Sequence, residues 1–113
     1  MTPAPAVAVL TGDLFFRAKI EAVAKVAGVP VRFAGSVEDA LGATTVLVDL
    51  ADGARAIEAV SALKRGPEAT VVVAFGPHRE GEAFRKAREA GADRVLARSA
   101  FVERLPELLR TGG

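Results

Sequence analysis

The stretch Thr45-Val46-Leu47-Val48-Asp49 is an apolar run that ends in a carboxylate. Four more short apolar runs lie along the chain at 6–10, 29–33, 71–75 and 94–97. Segments with the spacing of an amphipathic helix separate these runs. Short apolar strands that alternate with helices predict an α/β domain with a parallel sheet. Asp49 is therefore expected at the carboxyl end of the third of five strands.

Cap and turn residues mark the ends of the predicted elements. Gly28 after the first helix is typical of a C-terminal cap, and Pro30 favours an edge position for the second strand. Ser36 followed by Asp39 predicts the cap of a short second helix. This helix is expected to end near Leu41. The later helices are predicted at about 54–64, at about 80–90 and from a cap at Ser99 onward, with Pro106 as a kink or a late restart.

The composition predicts one domain over residues 1–113. Of these 113 residues, 50% are hydrophobic and 26% are charged, which is enough apolar material for a core of its own. The formal net charge is only +1, whereas nucleic-acid binders show a concentrated basic excess. No nucleic-acid partner is therefore expected.

Residue usage narrows the compartment and the chemistry. The chain has no cysteine, which excludes disulfides, thiolate metal sites and a cysteine nucleophile. No apolar run approaches the roughly 20 residues that span a bilayer, and the start of the chain lacks the charge of a secretory signal. We expect a cytoplasmic protein without a membrane partner. The absence of Asn and Gln, with 11 arginines to 4 lysines, hints at a thermophilic source.

The candidate functional residues follow the strands. Parallel strands joined by right-handed crossovers have all their carboxyl ends at one edge of the sheet. We therefore expect the following residues to lie close together there: Thr11, Gly12, Asp13, Asp49, Gly76, Arg98 and Ser99. Among the third, fourth and fifth strand ends, only Asp49 carries a carboxylate. A lone carboxylate is poorly equipped for Mg²⁺, which usually takes one or two carboxylates plus substrate oxygens.

The order of the elements and the stretch Ala90-Gly91-Ala92-Asp93-Arg94-Val95-Leu96-Ala97-Arg98 resemble the receiver domains of bacterial two-component response regulators. The resemblance covers nearly the whole chain. It implies a doubly wound, flavodoxin-like α/β fold, in which a five-stranded parallel sheet of strand order 2-1-3-4-5 is flanked by helices.

In that family, acids after the first strand hold Mg²⁺ and an aspartate at the end of the third strand accepts a phosphoryl group. A Thr or Ser ends the fourth strand and a Lys ends the fifth. Matching the strand ends places Asp49 on the phosphoacceptor. The other family positions are taken by Thr11 and Gly12 (the acids), Gly76 (the hydroxyl), Val95 (an aromatic switch residue), Arg98 (the lysine) and Ser99 (a proline). The resemblance thus implies a degenerate receiver, or pseudo-receiver, with a vestigial Asp49, no catalytic residue and no Mg²⁺ cofactor.

Three other uses of the strand-end residues remain open. An Asp49–Arg98 pair would fill the space of the missing metal, because a guanidinium bonds a carboxylate in bidentate fashion. A small anion is the second possibility, bound by Thr11, Arg98 and Ser99 near backbone N–H groups. The third is a working phosphoacceptor at Asp49 with Asp13 in an unusual metal shell, which limits any enzyme activity to self-phosphoryl transfer.

The expected function is a stand-alone module that binds a protein partner in signal transduction or regulation without phosphorylation. The chain ends soon after the fifth helix, so the response is expected through docking, unless the chain is part of a longer protein. By resemblance, the fourth and fifth helices form the partner surface or a homodimer interface. The residues assigned to this face are Phe84, Arg88, Arg94 and Phe101, with the two phenylalanines either anchoring the partner or belonging to the core.

Overall fold

The computed structural model describes residues 7–66, 69–76 and 81–111. In chain order the elements are β1 Val7–Leu10, α1 Leu14–Ala27, β2 Val31–Phe33, α2 Val37–Ala40, β3 Thr45–Asp49, α3 Ala54–Arg65, β4 Val71–Gly76, α4 Gly81–Glu89, β5 Arg94–Ala97 and α5 Arg98–Thr111. A short 3-10 turn, Leu50–Asp52, connects β3 to α3. Within the described residues, no helix is long and apolar enough to cross a membrane.

The strands form one parallel sheet in the order β2-β1-β3-β4-β5. All five residues of β3 are buried, as expected for the central strand of a sheet that is covered on both faces. In the register of the sheet Asp49 lies beside Phe75, and Gly76 lies beside Ala97. The predicted fold class, strand order and edge position of the second strand are confirmed.

Helices cover the two faces of the sheet with separate cores. On the face of α1 and α5, Phe75 stacks on Phe101 with 4.0 Å between ring centroids and on Phe16 at 5.3 Å. On the other face, α3 and α4 pack Val60 and Phe84 against the sheet. Phe84 and Phe101, two expected residues of the partner face, are therefore core residues, 6% and 0% exposed. Of the two roles left open for these phenylalanines, the structure shows the core role and not that of exposed partner anchors, because both rings fill the space between helix and sheet.

Local hydrogen bonds explain where the first elements begin and end. Gly28 takes the left-handed conformation, φ 72°, and Val29 donates its backbone N–H to the carbonyl of Ala24. Val29 thus belongs to the helix cap, and Pro30 has no N–H to give to the sheet, so β2 begins two residues later than predicted. Ser36 caps α2 by accepting from the N–H of Asp39.

The last helix differs from the prediction in its start and in having no restart after Pro106. α5 begins at Arg98 and follows β5 without a linker, so Ser99 lies inside the first turn and is not the cap. The helix runs on past Pro106 to Thr111 as one element. The predicted start of the first strand at residue 6 and of the fourth helix near residue 80 lie outside the described residues.

Candidate functional site

The carboxylate of Asp49 is the centre of the candidate site. The residue is 1% exposed. Its Oδ2 accepts a hydrogen bond of 2.6 Å from the hydroxyl of Thr11, and its Oδ1 accepts one of 2.9 Å from the N–H of Ala51. A buried carboxylate is costly unless its oxygens are hydrogen-bonded. Both oxygens are satisfied here by the protein itself.

Thr11 and Asp13 form the loop after β1. The Thr11 hydroxyl oxygen accepts a hydrogen bond of 3.1 Å from the N–H of Asp13, and the hydroxyl donates its own hydrogen bond to Asp49. Asp13 uses its Oδ1 to cap α1, accepting from the N–H groups of Phe15 and Phe16 at 2.9 and 3.2 Å. This capping stabilises the helix start. Asp13 is thus a helix cap, and Thr11 occupies the position beside Asp49 that the resemblance gives to an acid.

Arg98 reaches the site from the first residue of α5. Its Nη2 lies 3.8 Å from Oδ2 of Asp13, and its guanidinium lies over the ring of Phe16, 4.4 Å from the centroid. Its Nε is buried without a hydrogen-bond acceptor among the described residues. The predicted Asp49–Arg98 pair is wrong. Thr11 and Ala51 already donate hydrogen bonds to both oxygens of Asp49. The Arg98 guanidinium instead lies beside Asp13 and over the Phe16 ring.

Gly76 closes the site on the side of β4. A Cβ atom at this buried glycine would lie 3.1 Å from Cε1 of Phe84 and 3.6 Å from Cβ of Leu50. A contact of 3.1 Å is tighter than ordinary van der Waals packing. Apolar side chains therefore fill the space where the receiver family carries a hydroxyl.

Asp52 is a site residue that the sequence analysis missed. Its Oδ1 would lie 3.7 Å from a Cβ atom at Gly12, so its carboxylate faces the loop after β1. The signal was its position three residues after Asp49, in the 3-10 turn. Across residues 7–66, 69–76 and 81–111, no three His, Cys, Asp or Glu side chains are grouped closely enough to hold a metal ion.

An open groove of about 1080 Å³ adjoins the site between β1, α2 and α3. It shares Thr11 and Gly12 with the site, and Val37, Arg55 and Ala59 line it further along. α2 has only four residues, so one helical turn covers this part of the sheet. The short second helix is thus the reason for the opening.

The predicted site residues come together only in part. The structure joins Thr11 to Asp49 and Asp13 to Arg98, whereas Gly76 borders apolar side chains. Ser99 is exposed in the first turn of α5. The predicted convergence of the strand ends is therefore correct for the loops but not for every side chain.

The predicted partner face on α4 is a network of exposed ion pairs. Arg85 forms ion pairs with Glu82 at 3.2 Å and with Glu89 at 2.9 Å, and it holds the pKa of Glu82 below its usual value. Arg88 lies over the Phe84 ring, 5.9 Å from its centroid, and Arg94 is half-buried in β5. The charges of α4 are satisfied mainly by one another.

Solved structures similar to this chain include response regulators. A response regulator from Thermotoga maritima aligns with a TM-score of 0.76 and 15% identity over 95% of this chain and 98% of that chain. A response regulator from Burkholderia pseudomallei, with a phosphorylated aspartic acid, calcium ion and citrate, aligns with a TM-score of 0.77 and 20% identity. The alignment covers 96% of this chain and 68% of that chain. A LuxR family DNA-binding response regulator from Silicibacter pomeroyi aligns with a TM-score of 0.72 and 27% identity. The alignment covers 96% of this chain and 93% of that chain.

These similarities show that the chain has the fold of response regulator receiver domains, as the resemblance implied. No protein-family model matches the sequence, and the curated proteins give no match.

Proposed function

We propose that this chain is a pseudo-receiver, a receiver-type signalling domain that acts by docking to a protein partner and does not depend on phosphorylation of Asp49. The observation that carries the proposal is the buried Asp49 carboxylate, whose Oδ2 is bound by the Thr11 hydroxyl at 2.6 Å. A side chain that donates a hydrogen bond to this carboxylate therefore stands where a metal-binding acid would be needed.

Phosphoryl transfer needs positive charge to offset the charge on the phosphoryl oxygens. Arg98 is the cation assigned to this task by the resemblance, but it is turned toward Asp13 and the Phe16 ring. Gly76 has no hydroxyl to bind a phosphoryl oxygen, and Phe84 and Leu50 fill the adjoining space. Attack by Asp49 would also require its oxygen to give up the bond from Thr11. Four separate features thus oppose the transfer.

Thermal unfolding with Mg²⁺ and beryllofluoride, an analogue of the phosphoryl group, tests this proposal. A ligand that binds only the folded state raises the melting temperature, with a gain that grows with its concentration above Kd. We expect equal melting temperatures with and without the two additives. Stabilisation of the native chain that Asp49→Asn abolishes would instead identify a working acceptor and a Mg²⁺ cofactor.

A small-anion sensor is the second candidate function. It is favoured by Arg98, whose side chain is 33% exposed and whose buried Nε has no acceptor among the described residues. Stabilisation by inorganic phosphate that is lost in Arg98→Leu but kept in Ser99→Ala would assign the anion to the guanidinium. No phosphate effect on the native chain excludes phosphate as the anion.

The homodimer through α4 and α5 also stays a prediction. Its aromatic anchors are in the core, and the exposed side chains of α4 are charged ones such as Arg88. Sedimentation analysis of the native chain and of Arg88→Glu tests it, since a dimer through this face would respond to the charge reversal.

A further inference from the structure

The exposed apolar side chains of this chain are concentrated on α1. Four large hydrophobic residues are exposed in the described part of the chain, and three of them are Leu14, Phe15 and Val26, at 74%, 80% and 91%. The fourth, Leu41, is 55% exposed and follows α2. Single exposed hydrophobic residues are ordinary. Three on one helix of 14 residues form a surface.

These residues share the outward face of α1. Each residue of a helix is turned by about 100° from the one before it, so the apolar residues on the outer side of α1 fall within a sector of about 120°. Lys25 also lies in this sector, close to the direction of Leu14. Together they are called the α1 face: Leu14, Phe15, Ala18, Ala22 and Val26. The two alanines are exposed as well. The opposite side of the helix carries the buried residues Phe16, Ile20 and Ala24.

The spacing of the α1 face suits a second helix. Phe15, Ala18 and Ala22 follow one another at intervals of three and four residues, the spacing of a helix–helix seam. Small residues in the middle allow close approach of a partner, and larger residues at both ends provide apolar contacts. The fold does not need this face, because α1 packs on the sheet through its other side.

The charged residues beside the α1 face favour a partner of negative charge. The exposed charged residues of α1 are three cations, Arg17, Lys19 and Lys25, against one carboxylate, Glu21. The Arg17 guanidinium lies over the Phe33 ring at 4.6 Å from the centroid, which places it at the flank beside β2. A partner with acidic flanks is complementary, whereas a second copy would bring an excess of cations against the same excess.

We infer that the α1 face is the docking surface for an acidic amphipathic helix of a partner protein, which lays its apolar stripe along α1 and its carboxylates against the lysines and the arginine. This inference deepens the proposed docking function and rests on it. In such an interaction the apolar residues on one side of the partner helix pack against the apolar residues of α1. Asp49 takes no part in it.

The test uses two fluorescently labelled model peptides, both amphipathic helices with leucines at three- and four-residue spacing. One has glutamates on the flanks and the other has lysines. We expect the acidic peptide to bind the full chain at least tenfold more tightly than the basic one in anisotropy titrations, and more weakly at high salt. Equal affinities would overturn the charge assignment.

Two variants locate the binding surface. Phe15→Ser should weaken binding of the acidic peptide at least tenfold, as loss of an aromatic anchor does. Leu41→Ser is the matched control, since it removes another exposed apolar residue and should leave affinity unchanged. Both chains are first shown to melt like the native one. Equal affinities of the native chain and Phe15→Ser would contradict the α1 face.

Further arms separate this inference from the proposed function. Binding that appears only after acetyl phosphate treatment refutes phosphorylation independence but keeps the α1 face. Lack of binding both before and after treatment refutes the α1 face and leaves the Mg²⁺ and beryllofluoride test of Asp49 intact. A native dimer in sedimentation that Phe15→Ser dissociates would assign the face to a second copy and overturn the acidic partner.

Discussion

The crevice around Asp49 and the α1 face lie at the two sides of one helix start, yet their characters are opposite. In the crevice, hydrogen bonds and apolar rings satisfy the groups that would perform chemistry. On α1, large apolar side chains remain in water. Phe15 and Phe16 show the contrast within two residues, at 80% and 5% exposed. This contrast is what the proposed docking function requires: an exposed apolar surface on α1 beside a carboxylate whose oxygens are already hydrogen-bonded.

The largest expected difference is between two phenylalanines, one on each side of this contrast. Phe101→Ala should lower the free energy of unfolding by about 3–5 kcal/mol, because it removes a ring from a fully buried stack. Phe15→Ala should change it by less than about 0.5 kcal/mol. Urea unfolding of both variants measures the difference. Similar losses in the two variants would mean that the α1 face supports the fold.

The second prediction concerns the Thr11 hydroxyl, which donates a hydrogen bond to Asp49 in the crevice. Thr11→Val keeps the shape of the side chain but leaves Oδ2 of buried Asp49 without its donor, so we expect a loss of about 1.5–3 kcal/mol. Thr11→Ser restores the hydroxyl and serves as the control. A stable Thr11→Val protein would show that this hydrogen bond does not close the site.

The third prediction tests the apolar wall. Gly76→Thr restores the hydroxyl type of the receiver family but places Cβ 3.1 Å from the Phe84 ring, and overpacking of this kind costs about 1–3 kcal/mol. Adding Phe84→Leu to Gly76→Thr should relieve the clash, so that the double variant loses less than the two single losses combined. Additive losses in this double-mutant cycle would argue against the contact.

The smallest expected effect concerns Asp93, remote from both regions. Burial acts to raise the pKa of this carboxyl, but hydrogen bonds from the Lys64 ammonium and the Val72 N–H outweigh it, and the pKa is lowered. A lowered pKa stabilises the fold above the ordinary value of 3.8, and this contribution is lost as the pH falls through the folded-state pKa.

Asp93→Asn should therefore cost about 1 kcal/mol at pH 7, a modest value because the side chain is 39% exposed. The cost should shrink in urea unfolding at pH 3, because the carboxyl of the unfolded chain is mostly protonated below 3.8 and the lowered pKa then supplies less stability. A loss that is the same at both pH values would show that the charge of Asp93 does not matter.

The fold followed from the sequence because its signals are local and repeated. The buried run of β3 and the caps at Gly28 and Ser36 each identify one element without reference to the rest of the chain. Strand ends of a parallel sheet meet at one edge, so the meeting of the Thr11 and Asp49 loops also followed from topology.

The contacts inside the crevice did not follow from the sequence, because side-chain geometry decides them. The Arg98 guanidinium lies beside Asp13 and over the Phe16 ring, and this placement depends on the direction in which α5 leaves the sheet. Whether Phe101 is a core residue or a partner anchor depends likewise on the rotation of α5. The apolar periodicity of a helix predicts a buried face but does not say which neighbour covers it.

The most direct test of the closed crevice is the intact mass of the native chain after incubation with acetyl phosphate and Mg²⁺, beside Asp49→Ala, with a rapid quench that preserves an acyl phosphate. We expect no added mass in a chain shown to be folded by circular dichroism. A phosphate-sized increase in the native chain that is absent in Asp49→Ala would contradict it and make Asp49 a working phosphoacceptor.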